Sequence, residues 1–240
     1  KGKITIENSR FSGAHDDPIN IHGTHLAVTE FLAPNQIVVK YMHHQTYGFQ
    51  SFLPGNTIEF IDPHTLLSLS SAKVKKAEMK NEREITITLD KPVTSKVKET
   101  EGLVIENVTY TPEVEIRGNY FSRIPTRGIL VSTRRKVIIE DNTFFRMQMS
   151  GILIADDARS WFESGMARDV TIRNNYFIEC GGPVIFIVPE NDRNEGYVHR
   201  NITIANNRFR LTGTDAISAK SVDGLKITDN LFLTPKTSTT

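Results

Sequence analysis

Cysteine is nearly absent from this chain, and so is any surplus of charge. The single thiol, Cys180, excludes an internal disulfide and a cysteine-rich zinc site, and a lone cysteine of this kind is expected to be a small buried filler. Lys+Arg (29) and Asp+Glu (28) balance to a formal net charge of +1. That balance argues against nucleic acid or an anionic membrane as a partner, because both usually demand a clustered basic surface. No apolar run approaches the roughly 18 residues of a membrane span. The chain opens inside a patterned segment, so its start says nothing against a leader. At 240 residues with 38% hydrophobic content, there is enough material for a substantial core.

What the chain does have is a repeat. Ile172-Arg173-Asn174-Asn175-Tyr176-Phe177 recurs as Ile116-Arg117-Gly118-Asn119-Tyr120-Phe121 and as Ile139-Glu140-Asp141-Asn142-Thr143-Phe144. It returns as Ile204 to Phe209 and Ile227 to Phe232, and the first copy, Ile6 to Phe11, carries Ser9 where the others have Asn. A second apolar strand follows each Phe, at Ile19, Ile129, Ile152, Ile185 and Ile217. Ile116 to Ile139 is 23 residues and Ile204 to Ile227 is again 23, whereas the two intervening steps are 33 and 32. Short strands at this period fit the coils of a β-solenoid, two of which carry insertions of about ten residues. Coils stacked at about 4.8 Å would pile Phe and Ile into ladders, with Asn tolerating the bend and bonding along its own ladder. A leucine-rich repeat of similar period lacks support, since no L-x-x-L-x-L pattern or helical stretch appears. The expected fold is all-β: a right-handed parallel β-helix of about 22–23 residues per rung, spanning residues 1–24 and 112–240.

Residues 25–111 interrupt the repeat. They read as six short strands near 26–31, 36–42, 57–61, 72–79, 84–89 and 103–108, punctuated by Pro54-Gly55-Asn56 and Asp62-Pro63. The simplest arrangement is a small inserted β-barrel-like domain. A solenoid needs caps over its terminal core and neither end supplies one, so a longer parent is expected, with Pro235 onward a polar tail.

Chemistry is concentrated at the first coil. Asp16 and Asp17 are adjacent there, with His15, His22 and His25 around them, and the barrel-sized insertion departs from the same coil. A cleft floored by a sheet and walled by an insertion is where sites usually form. Two carboxylates close together can divide the roles of acid and base, although surface turns are rich in Asp for bland reasons too. His22 and His25 lie on opposite faces by strand alternation, so no metal site is expected. His22 is placed to donate to a ligand hydroxyl or a carboxylate, and His43 and His44 either line the cleft or are merely exposed. Ladder arithmetic sets Asp17 beside Arg127, each six positions after its Phe. Trp161, in one of the ten-residue insertions, is a platform for a sugar's apolar face or else a pin for its loop.

The stretch Asp16-Asp17-Pro18-Ile19-Asn20-Ile21-His22-Gly23-Thr24-His25-Leu26 resembles the D-D-x-I-N-V-H-G-T-Y-L segment of glycoside hydrolase family 110, the α-1,3-galactosidases. The resemblance implies a bacterial, secreted, periplasmic or cell-surface exo-enzyme with a parallel β-helix and barrel insertions. It implies an inverting mechanism without cofactor or metal, acting on a glycan with terminal galactose, with no nucleic-acid or membrane partner and a homodimer as the oligomer to test. Carried over, Asp16 would protonate the leaving oxygen and Asp17 would help activate water. His15, Asn20, His22, His25, Arg127 and Trp161 would contact substrate. A further Asp expected on the preceding coil has no counterpart, and His25 stands where the family usually has Tyr. Two other classes compete: a non-catalytic carbohydrate-binding or structural β-helix of the adhesin or tailspike kind, and a polysaccharide lyase or pectinase-like enzyme. Lyases of this fold usually want Ca²⁺ and a Lys or Arg base, which the Asp pair does not favour.

Overall fold

A computed structural model gives the structure of residues 1–234, and the expected tail from Pro235 lies outside the described residues. Three parallel sheets run the length of the repeat, two of six strands and one of five. Ile6, Ile116, Ile139, Ile172, Ile204 and Ile227 are in register on the first. Phe11, Phe121, Phe144, Phe177, Phe209 and Phe232 align on the second, and Ile19, Ile129, Ile152, Ile185 and Ile217 on the third. The chain is therefore a parallel β-helix, and the spacing of its repeat gave the rungs.

The ladders fill the interior as expected. Successive Phe rings stack with centroids 4.8–5.1 Å apart, the separation that strand pairing imposes. The Asn column needs one refinement. The bend is made by the residue before the ladder Asn: Asn8, Asp141, Asn174, Asn206 and Asp229 have φ of 50–57°, and Gly118 has 65°. The Asn that follows is buried and bonds. Asn175 Nδ2 donates to the carbonyls of Ile139 and Arg173 and to Asn207 Oδ1, at 2.9–3.0 Å. Its own Oδ1 accepts from Asn142. Two neighbouring positions share the two tasks because a side chain turned inward cannot also leave its residue in the left-handed region without cost. Cys180 is buried in this core, as expected, and burial pushes its thiol up to about 11.

The insertion forms a closed six-stranded antiparallel barrel. Its order is Val104–Asn107, Leu26–Ala33, Gln36–Lys40, Glu84–Leu89, Ser68–Met79 and Thr57–Ile61, which pairs back with Val104–Asn107. Alternation along Glu84–Leu89 buries Ile85, Ile87 and Leu89, so each strand gives the barrel one apolar face. Among the described residues the only α-helix is the single turn Ser95–Lys98.

Barrel and helix meet over a small apolar cluster containing Ile61, Leu66, Val104, Met166 and Val198. Charge is buried there as well. Arg134, from the helix, bonds Glu106 of the barrel at 2.6 Å and lies 3.0 Å from Glu59. Burial alone would push the Glu106 carboxyl up, and the Arg134 guanidinium outweighs it, leaving the group below the usual carboxylate range.

Candidate active site

The third sheet carries the site on its outward face. Ile19 and Ile21 point into the core, so Asn20 between them points out, and Leu130 and Leu153 follow it on the next two rungs. These three floor a cleft of about 330 Å³. Asp16, Asp17 and Arg127 rise from the turn that precedes the sheet. Asp157, Trp161 and Glu163 come from the insertion in the third coil, and Glu190 from the insertion in the fourth.

Asp17 is anchored as the ladder arithmetic requires. Its Oδ1 accepts the Arg127 backbone N–H at 2.8 Å, its Oδ2 lies 3.4 Å from Arg127 Nη1, and its side chain is only 6% exposed. Asp16 is exposed and accepts the Asp17 N–H at 2.8 Å. The pair thus presents one fixed and one accessible carboxylate to the same cleft.

Opposite them stands a wall with its own internal logic. Asp157 accepts backbone N–H groups from Arg159, Ser160, Trp161 and Phe162, which closes a turn of the kind short polar side chains favour and lifts Trp161 over the cleft. Glu163–Ser164 then pairs antiparallel with Gly23–Thr24. That pairing is close: a Cβ on Gly23 would fall 2.5 Å from Ser164 Oγ, so a larger residue would oblige the Ser164 side chain to turn aside. Glu163 Oε1 accepts from Asn20 Nδ2 at 3.1 Å and lies 3.3 Å from His22 Nε2. Burial pushes the Glu190 carboxyl up, and the charge of Asp157 adds to the effect.

Of the expected contacts, Asp16, Asp17, Asn20, Arg127 and Trp161 line one cleft. His22 reaches a carboxylate, Glu163, rather than open space. Two expectations are corrected. His25 does not face substrate: it is fully buried, and its Nε2 bonds Asp156 Oδ1 at 2.9 Å, tying the exit to the barrel onto the Trp161 loop. His15 is exposed but lies outside the residues lining the cleft. His43, whose place was open, packs against Trp161 with ring centroids 4.6 Å apart and planes tilted by 32°. Asp157, Glu163 and Glu190 were not singled out from sequence. The signal available was a second Asp-Asp pair, Asp156-Asp157, beside the only tryptophan, within the coil that carries an insertion.

Residues 86–232 match the family described as "Right handed beta helix region". The chain belongs to that family. The match fixes the hand of a helix whose rungs the register had already given, and it begins inside the last part of the barrel insertion. Residues 36–102 match "GLAA-B beta-barrel domain II". Alpha-1,3-galactosidase A of Bacteroides thetaiotaomicron is 56% identical over 97% of this chain. Proteins of the same name from Akkermansia muciniphila and Streptomyces avermitilis are 42% and 43% identical over 97% and 96% of it. This β-helix chain covers 41%, 39% and 38% of those three relatives, so it spans about two fifths of their length.

Proposed function

We propose that the chain is the catalytic core of a secreted inverting exo-glycoside hydrolase that removes terminal α-1,3-linked galactose from glycans. The observation that carries this reading is the Asp16–Asp17 pair, set in one cleft with an aromatic platform and an acidic wall. Relatives bearing the name alpha-1,3-galactosidase align over nearly the whole chain, which supports the same assignment.

In this mechanism the terminal sugar lies over Asn20, Leu130 and Leu153, with its apolar face against Trp161. One carboxylic acid gives its proton to the glycosidic oxygen as the bond to the anomeric carbon breaks. A carboxylate on the opposite face takes a proton from the water that attacks that carbon, so the anomeric configuration inverts. Asp16 takes the acid role and Asp17, oriented by Arg127, the base role. A second reading of the proton donor rests on Glu190: burial, then Asp157, hold that carboxyl toward its protonated form, as a general acid requires.

Asp16→Asn and Asp17→Asn in the full-length protein should each lower kcat by roughly 10²–10⁴-fold while leaving the fold intact. Proton NMR of the first turnovers should show β-galactose before mutarotation. Near wild-type turnover in either variant rejects the assignment. Glu190→Gln tests the donor: loss of the alkaline limb of the pH–rate profile would move the acid role from Asp16 to Glu190.

A further inference from the structure

A second cavity, of about 350 Å³, opens where the barrel meets the first coil. Its border with the cleft is the contact between His22, which lines the cavity, and Glu163, which lines the cleft. One barrel segment, residues 42–53, runs past both. At one end the His43 ring packs at a tilt against Trp161, and farther along Phe49, Gln50 and Phe52 wall the second cavity, which Tyr110 also lines.

The segment is held in place from behind. The Tyr41 hydroxyl donates to the Phe49 carbonyl at 2.5 Å, Arg83 Nη1 to the His43 carbonyl at 3.3 Å, and Gly48 N–H to the Glu82 carbonyl at 2.9 Å. Yet Phe49 and Tyr110 are 48% and 50% exposed. Large rings kept half in water at the mouth of a cavity, on an anchored backbone, mark a surface meant for contact. The remaining lining includes His22, Gln50 and Asn107. Asn107 is held from within, its Nδ2 donating to the Ser51 carbonyl and Asn56 Oδ1 and its Oδ1 accepting the Thr109 N–H, which leaves the exposed Gln50 amide as the polar group facing a ligand. Aromatic faces with one amide between them suit a pyranose, whose ring has an apolar face and a rim of hydroxyls.

We propose that this second cavity, with residues 42–53, is the subsite for the sugar units on the leaving-group side of the scissile bond. The barrel thereby reads the glycan beyond its terminal residue, while the helix cleft holds the residue to be removed. This rests on the hydrolase reading above and adds the division of labour between the two domains. It also gives the His22–Glu163 contact a place, as the threshold that the glycosidic linkage crosses.

The test is Phe49→Ala and Tyr110→Ala in the full-length protein, assayed on an α-1,3-galactosyl trisaccharide and on methyl α-galactoside. The ratio of kcat/KM for the trisaccharide to that for the methyl glycoside should fall roughly tenfold in each variant, the size expected from losing one aromatic contact. An unchanged ratio in both variants overturns the subsite. Calorimetric titration with the trisaccharide and with free galactose reads the subsite without turnover. The wild-type protein should bind the trisaccharide more tightly, and the variants should lose that advantage; an advantage that survives both substitutions also overturns the proposal. If the wild-type protein cleaves neither glycoside, the hydrolase reading fails, and the titration alone decides the subsite.

Discussion

The β-helix and the barrel are both built wholly from strands, yet they achieve their cores in opposite ways. The helix repeats one residue type per ladder, so Phe144 meets Phe121 below and Phe177 above in nearly the same geometry. Stability there accumulates rung by rung, each coil needing only its neighbours. The barrel repeats nothing. Its core joins Leu26, Tyr41, Phe52, Phe60 and Ile87 from strands and a loop far apart in sequence, and closure alone removes its free edges. A site between them inherits both characters: an evenly spaced floor from the stacked rungs and a shaped wall from loops that no periodicity governs.

The largest expected effect breaks the joint between the two. Arg134→Ala leaves buried Glu106 without its cation and should cost about 3–5 kcal/mol in urea denaturation. Arg134→Met combined with Glu106→Gln should recover part of that loss, since Glu106 is then neutral and only the partly exposed Glu59 carboxylate loses its cation. A loss well under 1 kcal/mol in the single variant would mean that the apolar cluster around Ile61 and Met166 docks the barrel unaided. A loss of similar size should follow from opening one ladder inside the helix. Asn175→Ala removes the acceptor used by Asn142 and the donor used by the Ile139 carbonyl, and buried groups left unpaired cost about 1–3 kcal/mol each. If hydrogen exchange then quickens in the neighbouring rungs while the barrel strands keep their protection, the rung-by-rung picture holds. Equal quickening in both domains would show that the two unfold as one unit.

The same contrast explains what could be read from residues alone. The ladders were legible because Ile172, Asn175 and Phe177 return at fixed offsets, and the register follows from counting. Asp17 beside Arg127 followed from the same count. The barrel strands were legible through alternation and turn residues, but their order was not, because antiparallel partners carry no shared motif. The far wall of the cleft was hidden for a related reason. Asp157, Glu163 and Glu190 sit in insertions whose path depends on contacts such as Glu163–Ser164 with Gly23–Thr24, and on the bond of His25 to Asp156. His25 was misplaced because its neighbours in sequence face the site, while its own burial is decided by a residue 131 positions away.

His199 offers the finest test of the helix side of the joint, through pH. It is fully buried, its Nδ1 accepts the Ala167 N–H at 3.0 Å, and burial, then the charge of Arg168, push its pKa down to about 3. The folded chain therefore keeps this ring neutral where the unfolded chain protonates it, near pH 6.5. Its contribution to stability is complete above pH 6.5 and is lost as pH falls toward 3, at about 1.4 kcal/mol per pH unit for one proton. Asp156 works in the other direction. Burial raises its carboxyl, so its contribution is present at low pH and is lost as pH rises through the shifted value. His199→Asn retains an acceptor for the Ala167 N–H and cannot be protonated, so its stability between pH 6.5 and 4 should fall less steeply than that of the wild-type protein by about that amount. Parallel stability curves across this range would mean that the imidazole gains a proton in the folded state, and that the strand His199–Ala205 opens to water more readily than the barrel-facing rungs beside it.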